Sequence, residues 1–484
     1  MTAEEELIEL RQRNSLLEEQ VKQIPVLQDT ITQLTEQVKK LQEQVAKNSQ
    51  NSSLPPSSDR FSRQSKSRSL RKRSGKNPGG QSGHQGHTLQ MSAEPSEVIE
   101  LPKVTQCQHC QADLTERAAQ TIERRQVIDV PAPPPLQVTQ YEAEWKLCPH
   151  CQRSTGAPFP EGVSAPVQYG PRVAALAVYL TTQQLLPRRR TREVLADLLG
   201  VSLSEGTLTA LIKRAAGRLL PIEEQIKTAL SRAKVIHQDE TGLYVMGKRV
   251  WMHVTSTHTL THYQVHRSRG HQALDEIGIL AHFHGTSVHD AWAAYFRYEC
   301  IQSLCCVHIL RELKFLSHEL GLGWPAKMAG LLLKMKQATE TARAQGQSSL
   351  SAPEVQAFQA AFLRLLDEGD HLHPRAPTPA GKRGKAKQHP ARNLLDRLRK
   401  RQDAVLAFLY DLAVPFDNNL AERDVRMVKV QQKVSGTFRS DDGAISFARI
   451  RGYVSTLRKQ GQPIYSALEA TLRGQPLLPS FSAT

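Results

Sequence analysis

From Leu7 onward the apolar residues fall at Leu7, Leu10, Leu17, Val21, Ile24, Leu27, Ile31, Leu34, Val38, Leu41 and Val45, mostly in steps of three and four. That spacing predicts a coiled-coil seam over residues 1–47. Asn14 takes a core-type position, and two successive steps of three around Pro25 predict a kink or stammer there. Such a seam is buried either against a second copy of the chain, the preferred reading, or by folding back on its own body.

The pattern then lapses. Residues 48–90 are rich in Ser, Gly, Pro and Asn with almost no apolar positions, which reads as a flexible linker. Strand-like runs return over 91–160, broken by PAPPP. Helical spacing takes over in 165–228, where TREVLADLLG predicts a helix ending at Gly200 and the following turn offers Ser202 or Ser204 as cap of a second helix. A helix-turn-helix that lodges its second helix in a DNA groove fits this order, as does an ordinary packed helical pair.

Between 229 and 470 the period first shortens to two. KVIHQDETGLYV, KRVWMHVTST, THYQVHRSRG and GTSVHDAW read as strands of an antiparallel sheet, with Asp239 in the middle of the first and Asp290 at the end of the fourth. The 131 residues between Asp290 and Glu422 are mostly helical in pattern, which predicts an insertion at about 300–412. Asp417, Asn418 and Asn419 are capping residues that predict a helix start, and residues 471–484 form a tail. The expected fold class is therefore a multidomain α/β protein.

Composition sharpens the picture. Sixty-three Lys and Arg oppose 47 Asp and Glu, a net charge of +16 that favours polyanionic partners, nucleic acid first. Eight of these cations lie between Arg60 and Lys76 without one acid. No apolar run approaches the roughly 18–20 residues that cross a bilayer, and the acidic N-terminus lacks the order of a signal peptide, so no membrane partner and a cytoplasmic location are expected.

Seven cysteines include Cys107 and Cys110 in CQHC and Cys148 and Cys151 in CPHC, with 37 residues between the two motifs. Four thiolates in two such pairs predict a structural zinc site; redox chemistry and free thiols are the alternatives. His84 and His87 are taken as ordinary linker histidines.

Asp239 and Asp290 stand in otherwise apolar strands, where an unpaired carboxylate costs several kcal/mol to bury. Two such acids on neighbouring strands repel unless a divalent metal lies between them. Glu422, in the first turns of its helix, supplies a third. At 100° per residue Glu422 shares a face with Arg426, Lys429 and Lys433, while Ala421, Val425 and Val428 form the adjoining apolar stripe. The competing reading is a plain ion pair between Glu422 and Arg426 on a solvated helix.

The stretches HQDETGLY, SVHDAWAAYF, LCCVHILREL, DNNLAERDVRMVKVQQKVSGTFRS and RIRGYVSTLRKQG resemble the insertion-sequence 66 family of DDE transposases. The likeness extends over the N-terminal zipper, the NSSLPPSSD and GGQSGHQGHTL linker, the Cys-x-x-Cys pairs and LLGVSLSEGTL. It implies an RNase H-like catalytic core with a helical insertion, preceded by coiled-coil, zinc-ribbon-like and helical DNA-binding segments. It also implies that Asp239, Asp290 and Glu422 are catalytic and hold magnesium or manganese for two-metal phosphoryl transfer.

Cys305 and His308 match a Cys-x-x-His element of such enzymes; at i and i+3 they suit either a ligand pair or, the preferred reading, a packed structural element. The expected DNA contacts are Arg423, Arg426, Lys429, Lys433 and Arg439. The ten Lys and Arg between Arg375 and Arg401, against the single acid Asp396, are either a solvated loop or a further DNA contact.

The implied partners are transposon ends and target DNA, a second copy or larger synaptic assembly, and accessory proteins of the same element. The implied location is the bacterial cytoplasm, at the nucleoid when DNA is bound. Two rivals stand beside this reading: a metal nuclease without joining activity, and a non-catalytic DNA-binding protein.

Overall fold

The computed structural model describes residues 3–46, 89–130, 135–377, 386 and 388–481. The linker cations Arg60–Lys76, His84, His87, and Lys382, Arg383, Lys385 and Lys387 of the insertion lie outside the described residues. The chain divides into two compact units, Gln64–Thr139 and the remainder, Met1–Arg63 with Gln140–Thr484. In the smaller unit the described residues are mostly irregular, with a bridge between Gln106 and Asp113 closing the turn that carries Cys107 and Cys110.

In the larger unit, helix α1 (Ala3–Ala46) runs unbroken through Pro25, and Leu17, Val21, Ile24, Leu27, Ile31, Leu34, Val38 and Leu41 of its seam are all exposed. Strands β1 (Trp145–Leu147) and β2 (Ser154–Gly156) form a hairpin whose connection carries Cys148 and Cys151. The Trp145 ring packs over Gly156, where a Cβ would fall 2.5 Å from it and displace the ring.

Helices α2 (Pro171–Val178), α3 (Arg188–Leu199), α4 (Glu205–Arg218) and α5 (Leu220–Ser231) follow. Gly200 ends α3 in the left-handed conformation, and Ser204 caps α4 by accepting the Thr207 N–H. Leu208, Leu211, Ile212, Ala215 and Ala216 of α4 are buried in a cluster shared with helices nearer the C-terminus. The second helix of the expected helix-turn-helix is thus a core helix on that face.

The sheet comprises β3 (Val235–Val245), β4 (Lys248–Ser256), β5 (Thr261–His266), β6 (Thr286–His289) and β7 (Ile301–Leu304), in the order β5-β4-β3-β6-β7. β3, β4 and β5 are an antiparallel meander, but β3, β6 and β7 are parallel, so the expected wholly antiparallel sheet is corrected to a mixed one. Between β5 and β6 the chain runs through α6 (His271–Ile277) and a short 3-10 turn, a connection long enough to return in parallel. Gly285 lets β6 approach β3: a Cβ there would fall 2.4 Å from the Lys234 carbonyl oxygen. β7 lies inside residues 300–412, the stretch expected to be an insertion, and five helices follow it there.

The insertion is helical: α7 (Cys306–His318), α8 (Gly323–Ala344), α9 (Ala352–Leu372), α10 (Pro390–Lys400) and α11 (Gln402–Tyr410). They enclose a core around Trp324, Phe362 and Phe408 that continues into Val288 of β6 and Leu304 of β7. Arg375, Arg392, Arg397 and Arg399 of its basic run are engaged with Asp396, Asp370, Glu312 and Asp367, so these cations brace the insertion.

Helices α12 (Asn419–Ser435), α13 (Asp441–Lys459) and α14 (Ile464–Arg473) complete the unit. Val425 and Val428 of α12 and Phe447 of α13 pack on Leu243, Met252 and Tyr263 of the meander.

Candidate active site

β3 carries Asp239 at its midpoint, opposite Val254 of β4. On its other side the parallel register pairs His237 with Val288, and two more residues along both chains set Asp239 beside Asp290, just past the end of β6. The side chain of Asp290 accepts the Trp292 N–H at 2.9 Å, which holds the turn after the strand.

The third acid arrives with α12. Asn418 lies immediately before the helix but its side chain does not cap it. It is buried, its Nδ2 donates to the Gln238 carbonyl at 2.7 Å, its Oδ1 lies 3.0 Å from His237 Nδ1, and its backbone N–H donates to Cys305 Sγ at 3.2 Å. One residue thus ties the start of α12 both to the acid-bearing strand and to the end of β7. Asp417 does the local work of a cap, accepting the Asn419 N–H.

On the far side of α12, Asp424 accepts from Ser455, Thr261 and Lys459, which fixes the rotation of the helix. Glu422 then lies toward Cys305 and His308, close enough for its charge to act on Asp239.

The three acids share one electrostatic neighbourhood. Burial, then the carboxylates of Glu240, Asp290 and Glu422, push the Asp239 carboxyl well above its ordinary pKa. Glu240, next in the strand, points to the opposite face by the period of two. There it pairs with Arg269 at 2.6 Å and accepts from the Tyr295 hydroxyl at 2.5 Å. Arg269 lies between the Trp251 and Trp292 rings, 4.9 and 4.0 Å from their centroids. This group links the strand bearing Asp239 to the turn bearing Asp290. Sequence reasoning missed Glu240, Arg269, Trp292 and Tyr295 and took Asn418 only for a cap, although the alternation in HQDET was a signal for Glu240.

Among the described residues the tightest set of possible metal ligands is a different one. Donor atoms of Cys305, His308 and Glu422 all lie within 4.8 Å of one another. Cys305 precedes α7, His308 is one turn into it, and the Cys305 N–H donates to the His289 carbonyl at 2.9 Å. His308 Nδ1 and Glu422 Oε1 are 3.9 Å apart, and both are buried without a hydrogen-bond partner. Burial, the larger effect, keeps the His308 imidazole neutral against the pull of Glu422, so this contact is not an ion pair. Leaving such atoms unpaired costs about 1–3 kcal/mol each.

Glu422 forms no ion pair with Arg426, so the plain helical pair is set aside. Arg423, Arg426, Lys433 and Arg439 are exposed. Lys429 differs: half-buried, it donates to the Gly242 carbonyl at 2.8 Å and braces β3, which corrects its place among the free cations.

The two Cys-x-x-Cys turns have the same local form, each within its own unit. The Gln111 N–H donates to the Cys107 carbonyl and the Gln152 N–H to the Cys148 carbonyl, with Gln111 and Gln152 both at positive φ. Backbone N–H groups aimed at the sulfur, from Cys110 and His109 in one turn and Cys151 and His150 in the other, lower the pKa of Cys107 and Cys148.

The architecture is thus a mixed α/β protein in which acids from two adjacent parallel strands and a helix share one neighbourhood. Residues 166–446, more than half of the chain, match the transposase IS66 family, and the chain belongs to that family. It is accordingly a transposase, an enzyme that cuts and transfers DNA. Residues 4–90 match a family of unknown function, DUF6444. Curated proteins gave no match to the chain. Among the described residues no helix is long and apolar enough to cross a membrane.

Proposed function

We propose that this transposase binds the terminal inverted repeats of its element, hydrolyses a phosphodiester at each end and joins the released 3′-hydroxyl to target DNA. The observation that carries the reading is the parallel register of β3 and β6, which sets Asp239 beside Asp290; burial, then Glu240, Asp290 and Glu422, disfavour the charged form of Asp239 there. Acids that repel one another on neighbouring strands suit divalent cations. The strand order, three antiparallel strands followed by two parallel ones, supports an RNase H-like core.

In this reading Asp239, Asp290 and Glu422 would hold the divalent cations. Magnesium or manganese, when bound, supplies Lewis acidity at the phosphate and lowers the pKa of water. The residues of the chain position the rest: Asn418 and Asp424 orient Glu422, and the Glu240–Arg269 pair braces the Asp290 turn. Arg423, Arg426, Lys433 and Arg439 track the phosphate backbone. The Cys-x-x-Cys turns act as zinc knuckles, and α1 pairs with α1 of a second copy, whose apolar seam would cover its own.

The test is cleavage of a labelled inverted-repeat end in magnesium. Wild type should nick at the element boundary and Asp290→Asn should bind without nicking; full cleavage by Asp290→Asn would refute the assignment.

A further inference from the structure

Glu422 belongs to two constellations, and only one of them is the acid cluster. The other joins its Oε1 to Cys305 Sγ and His308 Nδ1 inside a 4.8 Å span. Three features mark this as a built site. The sulfur is buried, 1% exposed, and held by the Asn418 N–H. The imidazole nitrogen and the carboxylate oxygen face each other, buried and unpartnered, at 3.9 Å. The ligands come from the start of two helices, each tied to the end of a sheet strand or its neighbour, by Cys305 to His289 and by Asn418 to Gln238.

The donor set is one sulfur, one nitrogen and one oxygen. That chemistry selects a borderline-soft ion such as zinc and not magnesium, whose ligands are oxygens. Donors around a tetrahedral zinc lie roughly 3.3–3.7 Å apart, so a small inward turn of the side chains closes the site.

We propose that Cys305, His308 and Glu422 bind a zinc-class divalent cation, and that this ion holds Glu422 away from Asp239 and Asp290. Zinc would then inhibit the magnesium-dependent reaction by capturing its third acid. The inhibitory half rests on the reading of Glu422 given above; the metal site does not. The thiol proton passes to solvent as the ion binds, and the fourth position is open to water.

The experiment uses the full chain without DNA, stripped by chelator and reloaded with zinc or with cobalt as a spectroscopic probe. Cys305→Ser and His308→Gln should each hold about one metal fewer per chain than wild type. With cobalt, Cys305→Ser should also lose one thiolate's share of the sulfur-to-cobalt absorption, the part carried by Cys107, Cys110, Cys148 and Cys151 remaining. Equal zinc content and equal cobalt spectra in wild type and both variants would overturn the site. His308→Gln lies nearer the surface, so it carries the test if Cys305→Ser does not fold.

Strand transfer at fixed magnesium supplies the second arm. Added zinc should inhibit wild type and leave Cys305→Ser and His308→Gln active; equal inhibition of all three would overturn the capture of Glu422. Glu422→Gln separates the two readings. Loss of the metal with strand transfer retained keeps the zinc site and removes Glu422 from catalysis, whereas retained metal with strand transfer lost does the reverse.

Discussion

Asp239→Asn should make the metal-free protein more stable while disabling it. The wild-type carboxylate is buried in β3 beside Glu240, Asp290 and Glu422, and its folded-state pKa is raised well above the ordinary value. A raised carboxyl pKa means that the group favours folding below its unfolded pKa and that this contribution is lost as pH rises through the folded value. Near pH 7 the charged or forcibly protonated group is therefore a net burden. Relieving it by substitution should gain around 2 kcal/mol, within the range of about 1–3 kcal/mol that an unmatched buried polar group costs.

In a unit of this size that gain is a rise of roughly 3 °C in Tm. The assay is thermal unfolding in chelator and again in millimolar magnesium. Wild type should gain stability on adding magnesium, because the cation binds the folded acids, and Asp239→Asn should gain little. An Asn variant no more stable than wild type in chelator, or one that gains as much from magnesium, would refute the argument.

Three further outcomes follow from the same geometry. Asn418→Ala removes two buried hydrogen bonds and leaves the Gln238 carbonyl unpaired, so it should cost about 2–4 kcal/mol in urea unfolding and reduce end cleavage with Glu422 intact. Burial, aided by Lys227 and Arg449, lowers the pKa of His262 to about 3, far below the unfolded value. Its neutral form is the folded one, so stability is lost as pH falls from about 6.5 toward 3; His262→Gln should flatten the fall of Tm between pH 6.5 and 4.5. Arg426→Ala should weaken DNA binding with unchanged Tm and reduce the slope of log affinity against log salt by about 0.9, measured by fluorescence anisotropy.

Much of this site was legible because an acid in a β-branched strand stands out. HQDETGLY and SVHDAW announced both the strands and their aspartates, and DNN announced the start of α12. The parallel pairing that joins the aspartates was not legible, since it depends on where the chain from β5 returns. β7 was missed because IQSL is four residues with no alternation to read.

Composition identified Asn418 as a cap, whereas the fold uses its amide to cross-link β3 and Cys305. Spacing placed Lys429 in a row of cations, but only three dimensions show its ammonium turned onto the Gly242 carbonyl. Cys305 and His308 were visible as a pair, and their third partner, 114 residues further on from His308, was not.

The central claim is that Glu422 completes a strand-joining site with Asp239 and Asp290. Its most direct test supplies a pre-cut inverted-repeat end with a free 3′-hydroxyl, a supercoiled target plasmid and magnesium, and measures joined product for wild type and Glu422→Gln. The account predicts joining by wild type and none by a Glu422→Gln protein that still binds the end. Joining by Glu422→Gln at the wild-type rate, or hydrolysis without joining by wild type, would contradict it.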